Sequence, residues 1–447
     1  MGIRLPNSTD YIHPDESNLL ELHRAMEYNT KGEPVIRVNR TLAGTSYVPE
    51  GNLDAGYDAF GRMRISTEET LFDNAFRYGD NTLEWNHSTS GSVTVEHLEE
   101  ESSMALTVGT TTGDSIVRET KRVFLYQPGK SLLVLNTFTM APQQTGLTQR
   151  IGYFGAENGF YVEQADDTVY MVKRSFVSSA VVNTRIAQSE WNVDKMNGEG
   201  PSGVTLDITK AQILWMDIEW LGVGSARMGF VINGQFVVCH IFHHANIATS
   251  VYMTTATLPI RYEIFNTGTT ATAATLQQIC STVISEGGYN PKVIPRAVGN
   301  SSVGKNLSNL DNTPVPLVSI RLRADRLDAV AIPRTVSMYG LQNAGFRYRL
   351  IQHGTLTGAS WTQFSSESHV QYDLSATAMT GGTTLDEGAF AGGPTGGAVN
   401  INLREVFDNS LQLRRRLDGT AEIFTLAAIA TTNNDDAVGV IAWSELN

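Results

Sequence analysis

The sequence predicts an all-β protein, and three observations predict it. Of its 447 residues 18 % are charged and 41 % hydrophobic, with 40 glycines and many Thr, Ser, Val and Ala, which is the composition of packed strands and turns and not of a disordered chain. Between Leu71 and Tyr289, segment after segment alternates or runs apolar without a helical crossover. Asn233-Gly234, set between Phe230-Val-Ile232 and Phe236-Val-Val238, is a type I′ hairpin sequence, because that turn needs two left-handed residues. Ten or so strands in about 220 residues fit an antiparallel two-sheet sandwich of jelly-roll type.

Taken in order, residues 1–66 read as an arm. Pro14-Asp15-Glu16-Ser17 places acids and a capping hydroxyl ahead of Leu19, Leu22, Ala25 and Met26, a one-sided helical stripe that stops near Asn29 to Gly32. Val35 to Val38 reads as a short strand, followed by a loop rich in Thr, Gly, Ser and Pro. A lone helix of this length is marginal in water. Leu19, Leu22 and Met26 are therefore candidate assembly contacts, buried against another domain or a neighbouring subunit. Asp58-Ala-Phe-Gly-Arg-Met-Arg-Ile-Ser66 reads as a joint: Gly61 frees the backbone, Phe60 anchors, and Arg62 and Arg64 share a face that a carboxylate can pair with. Phe60, Arg62 and Arg64 complete the candidate assembly set.

Residues 67–290 carry the jelly-roll strands, among them Ser92 to Val95, Ile116 to Tyr126, Ser131 to Met140, Ile213 to Trp220, Arg261 to Phe265 and Leu276 to Ile284. Residues 291–316 read as a linker, since Pro291, Pro295, the Gly/Asn/Ser cluster and Pro314 and Pro316 continue neither kind of element. Residues 317–447 again hold short strands and read as a smaller β-sandwich. Gly381-Gly382 and Gly392 to Gly397 read as turns, because neither lies between a strand and a helix with a following lysine.

Charge and cysteine content narrow the function. A net charge of −13, from 33 Lys plus Arg against 46 Asp plus Glu, disfavours nucleic-acid binding. Arg414-Arg415-Arg416 reads as strand residues with exposed arms. Two cysteines, Cys239 and Cys280, fit a reducing cytosol and leave a single bridge open. The N-terminus lacks a signal-peptide core, and no apolar run approaches the ~20 residues of a membrane span, so neither export nor a membrane partner is expected. Walker, nucleophile-elbow, H-E-x-x-H and paired C-x-x-C motifs are missing, and no cofactor is expected.

The stretch with most chemical content is Ile213-Leu-Trp-Met-Asp-Ile-Glu-Trp-Leu-Gly222. As a strand it sends Trp215, Asp217 and Glu219 to one face and Leu214, Met216, Ile218 and Trp220 to the other. It resembles the Glu-x-Asp-x-Glu-aromatic-Leu-Gly strand of licheninase and laminarinase-type β-glucanases, whose concanavalin-like jelly roll carries nucleophile, helper Asp and acid/base on one strand face. Trp215 stands where that nucleophilic Glu belongs. A retaining glycosidase needs one carboxyl to attack and one to protonate. An indole does neither, so the resemblance implies the fold without the chemistry.

Two other uses of the strand stay open. Asp217 and Glu219, about 7 Å apart along a strand, with Glu263 if its strand is a neighbour, could serve an inverting scheme. Alternatively Trp215 stacks on a sugar ring while Asp217 and Glu219 accept hydroxyl bonds, a non-catalytic glycan cleft. Cys239, His240, His243 and His244 are ligand types zinc accepts, but strand alternation splits them between two faces, so no metal site is expected.

A second resemblance covers about residues 57–290. Asp58 to Ser66 with Leu71-Phe-Asp73 is similar to a signature of tailed-bacteriophage structural proteins. It continues through Trp191-Asn192, Gly198 to Gly203, the 213–224 stretch, His244-Ala-Asn246, Leu258 to Glu263 and Ile279 to Gly288. It implies a non-enzymatic virion protein, assembled in the host cytoplasm, whose partners are its own copies and other virion proteins. The rival expectation is a tail protein that grips or degrades host surface glycan.

Overall fold

The computed structural model describes residues 67–307, 313–393, 398–403, 411–432 and 434–446, with the backbone of four short strands further upstream. Those four strands belong to a unit of their own, residues 1–66. Ile3–Arg4 pairs with Tyr11–Ile12, and Met26–Tyr28 pairs with Pro34–Ile36. The expected strand near Val35 is present. Met26, expected in a helical stripe, lies instead in a strand, because Met26-Glu-Tyr28 finds local cross-strand partners that satisfy its backbone where a short isolated helix has nothing to pack on. Leu19, Leu22, Phe60, Arg62 and Arg64 lie outside the described residues. No α-helix lies wholly within the described residues, of which Leu403 alone is α-helical.

The first sandwich is a jelly roll of two antiparallel sheets. One sheet of eight strands runs, from edge to edge, Gln235–Phe242, Ala226–Ile232, Gln212–Ile218, Ser131–Thr139, Ala274–Glu286, Ser103–Val108 and Val93–Leu98. Its eighth strand, Glu68–Ala75, pairs with the far half of Ala274–Glu286. The facing sheet of seven strands runs Val182–Ala187, Thr168–Ser175, Gly159–Ala165, Leu147–Phe154, Ile260–Asn266, Ser115–Thr120 and Trp85–Ser90. Alternate residues meet between the sheets. Leu132, Val134, Leu214, Met216 and Ile218 from one side and Ile151, Tyr153, Phe160, Val162, Tyr262 and Ile264 from the other form a single core. Asn233 and Gly234 both take positive φ, 52° and 74°, as the hairpin requires.

The second sandwich pairs a five-stranded with a six-stranded sheet around its own core of Leu317, Ile320, Val336, Phe346, Leu350, Leu426, Ile441 and Trp443. Part of the segment read as linker belongs to it. Val293–Gly299 and Lys305–Leu307 both pair with Asp435–Leu446. Pro295 is tolerated because Val293–Gly299 is an edge strand, where a missing N–H leaves no ladder bond unmade. Gly381-Gly382 is a two-residue turn, both with positive φ, between Ala378–Thr380 and Thr383–Ala391.

Candidate functional site

Strand Gln212–Ile218 lies between Ser131–Thr139 and Ala226–Ile232, so Trp215 and Asp217 project from the sheet face turned away from the core. Trp215 is 3 % exposed. Its ring meets Phe236 edge-on, centroids 5.3 Å apart, and its indole N–H donates to the Val237 carbonyl at 3.3 Å. Gly229 sits directly opposite Trp215, and that is why the indole can lie flat. A Cβ there would fall 1.9 Å from the Val237 carbonyl oxygen and 3.0 Å from the indole nitrogen.

Asp217 faces Arg227 across the same strand pair. Arg227 Nε donates to Oδ2 at 2.8 Å and a terminal guanidinium nitrogen makes a second bond to the same oxygen. Oδ1 is buried without a hydrogen-bond partner. The strand ends at Ile218, before the left-handed Leu221 at φ 39°, so Glu219 sits past its end and is exposed. Glu263 does not join this group: its strand, Ile260–Asn266, belongs to the opposite sheet. The structure thus places Trp215 and Asp217 together, one covered and one ion-paired, with Glu219 apart.

The opposite sheet carries a charge array that strand patterning alone does not pick out. Arg150 stands between Glu163 and Glu263 as direct cross-strand partner of both, at 2.5 and 3.0 Å. Arg185 reaches Glu163 at 2.6 Å, Arg261 reaches Glu263 at 2.6 Å and Glu119 at 2.8 Å, and Arg415 of the second sandwich closes the row on Glu119 at 3.1 Å. Seven alternating charges thus cross the sheet. Aromatic rings lie beneath them: Arg185 stacks 4.0 Å over Tyr170, and Arg150 lies 4.8 Å over Phe265. Burial works to raise the Glu263 carboxyl, but Arg261 and Arg150 overcome it and hold its pKa below the ordinary value. The signal was present in the sequence, in charged residues at alternate positions of apolar strands such as Arg261-Tyr-Glu263.

The arginine run 414–416 is not a set of exposed arms. Arg414 is buried, bonded to Glu84 at 2.9 Å and to the Leu83 carbonyl; Arg416 donates to His353 Nδ1 at 2.8 Å. Only an isolated bridge, Arg415 to Ala421, forms where a strand was expected. With Arg415 on Glu119 and Lys121 on Glu422 at 3.2 Å, the run clamps the two sandwiches together. Sequence spacing carried no sign of partners some 300 residues away.

Cys239 is buried in the core as the bulge residue between Val238 and His240. His240 Nδ1 accepts the Asn192 N–H at 3.3 Å, His243 Nδ1 meets Ser225 Oγ at 3.2 Å, and His244 is held by the Gly224 carbonyl at 2.8 Å and Lys173 at 3.1 Å. The His244 ring stacks on Tyr252 at 3.6 Å. Burial pushes both His240 and His244 down to about 4. Among the described residues no three His, Cys, Asp or Glu side chains are grouped to hold a metal ion.

No family model matches this chain, and no curated protein matches it. Solved structures do resemble it. A β-glucanase of Bacillus licheniformis aligns at 12 % identity over 50 % of this chain and 99 % of its own, with a TM-score of 0.32. The catalytic domain of an endo-1,3-β-glucanase (laminarinase) from Thermotoga petrophila aligns at 11 % identity over 50 % and 100 %, TM-score 0.34. The CBM2 module of the evolved Dit of Lactobacillus casei BL23 phage J-1 aligns at 4 % identity over 51 % and 100 %, TM-score 0.31. Likeness at this level does not reach the chemistry of any residue.

Proposed function

We propose that this protein is a non-enzymatic structural component of a bacteriophage virion, which assembles with its own copies and other virion proteins and presents its sandwiches as rigid modules. The ordered blocks from Asp58 to Gly288 support the virion reading. The observation that carries the non-enzymatic part is the state of the 215–219 strand. Trp215 fills the nucleophile's place, and Asp217 is committed to Arg227 by two bonds to one oxygen. A general acid or nucleophile must meet substrate in the right protonation state and geometry. The acids on the opposite sheet face are likewise committed, Glu163, Glu263 and Glu119 each to two arginines.

Two measurements test the reading. The full chain should run as a homo-oligomer in light scattering and release no reducing ends from β-1,3- or mixed-linkage glucan. Glucan cleavage that Glu219→Gln abolishes would remove the proposal.

Glycan gripping is the second reading, and one observation favours it. Phe236, 53 % exposed, lies against Trp215 and offers an aromatic surface on the same sheet face that carries Asp217. A glycan array separates the two readings: retention lost in Phe236→Ala supports adhesion, and an array without signal leaves assembly alone.

A further inference from the structure

Lys121 follows strand Ser115–Thr120 of the first sandwich, and its amine is buried against residues of the second. Glu422 Oε1 lies 3.2 Å from Nζ. The other carboxylate oxygen, Oε2, accepts the side-chain amide of Gln352 at 3.0 Å. One carboxylate therefore bridges an amine and a carboxamide that belong to different sandwiches. Gln352 is 3 % exposed and Glu422 2 %, and Gln352 Oε1 has no hydrogen-bond partner.

The protonation pattern follows from His353. Arg416 can only donate, and it donates to Nδ1 at 2.8 Å, so Nδ1 keeps a lone pair and Nε2 carries the proton. Glu422 Oε1 lies 2.6 Å from that Nε2 without accepting a hydrogen bond. Lys121 Nζ is 2.8 Å from the same Nε2, a contact that is favourable when the lysine nitrogen presents a lone pair. Burial lowers the Lys121 pKa, and Arg414 and Arg416 add to this against the pull of Glu422. A desolvated amine and a buried carboxamide held on the two oxygens of one carboxylate are the partners that amide exchange requires.

We propose that Lys121 and Gln352 join in an isopeptide bond between the two sandwiches, with Glu422 as the proton carrier. The Nζ lone pair bonds to Cδ of Gln352, and the carbonyl pair moves onto Oε1. Glu422, whose two oxygens face the two nitrogens, takes the proton that Nζ sheds and delivers it to Nε2. The carbonyl re-forms, the Cδ–Nε2 bond breaks and ammonia leaves. The balance is one amine and one primary amide giving one secondary amide and ammonia, with no oxidant or cofactor. Closure of the joint raises the effective concentration of the amine and keeps water from competing.

Mass spectrometry of the denatured full chain tests this. The expected result is a mass lower by one ammonia than the sequence demands, and a branched proteolytic peptide that carries both Lys121 and Gln352. The branched peptide should disappear in Lys121→Arg and in Glu422→Gln. Two results overturn the proposal. One is a full-mass chain that trypsin cleaves after Lys121. The other is an ammonia loss without a branched peptide, as succinimide formation at Asn233-Gly234 would give; a linear peptide then reduces the cluster to an ion pair.

Discussion

Trp215 keeps its place on the sheet because its cross-strand partner has no side chain, and this makes Gly229 the residue on which that face depends. Gly229→Ala should cost about 1–3 kcal/mol, the usual penalty of overpacking, and should raise Trp215 fluorescence quenching as the indole is displaced toward solvent. Urea titration with tryptophan emission reads both effects. The buried histidines set a pH dependence at the same scale. His240 and His244 have pKa values of about 4 in the folded chain against an ordinary 6.5, so the unfolded chain binds more protons between those limits. Stability therefore rises with pH through that window and is lost as pH falls from about 6.5 to 4. Glu263 and Glu422, whose pKa values are lowered, extend the loss further into acid. Melting temperature against pH should slope downward below 6.5, and His244→Gln should flatten the slope.

At the scale of strands, what the sequence made legible was whatever had a local cause. The Asn233-Gly234 turn, the apolar alternation of Ser131–Thr139 and the two faces of Gln212–Ile218 follow from short-range rules, and the structure has them. Trp85–Ser90 and Val182–Ala187 do not stand out in the sequence, because as edge strands they bury one residue or none and leave little pattern. The charge row escapes for another reason: Arg150 is ordinary in its own strand and gains meaning only when Glu163 and Glu263 are set on either side by register. Buried ion pairs are weak evidence of net stabilisation, but stripping one partner from them is costly. Arg150→Ala leaves Glu163 with Arg185 alone and Glu263 with Arg261 alone, and should cost less than the roughly 3–5 kcal/mol of a buried charge stripped of its last partner. The triple change Arg150→Met with Glu163→Leu and Glu263→Leu removes the two under-neutralised carboxylates and should recover most of it. Denaturant midpoints of the two variants at equal m-value decide the matter, and equal losses in both would mean that packing, not charge, holds the row.

For the whole molecule the question is why two sandwiches with separate cores behave as one body. Composition and spacing located two β-rich regions, but their joint was invisible because it is built from residues hundreds of positions apart. Glu84 holds Arg122 of its own sandwich and Arg414 of the other; Glu119 holds Arg261 of its own and Arg415 of the other. Each glutamate therefore keeps one arginine when the second sandwich lets go. That makes Arg414→Ala with Arg415→Ala an unusually clean perturbation, since neither glutamate is left without a cation and the first sandwich should keep its own stability. What is removed is the arginine part of the coupling. Calorimetry of the intact chain should show a single cooperative transition, and the double variant should show two, with the second sandwich melting first because it has lost buried cations and their bonds to Leu83 and Glu84. A single unshifted transition in the variant would assign the coupling to the links that remain, the Lys121–Glu422–Gln352 cluster and the apolar contact of Val123 with Val330 and Leu446, and adding Lys121→Arg and Val330→Ala would then be the change that splits the curve.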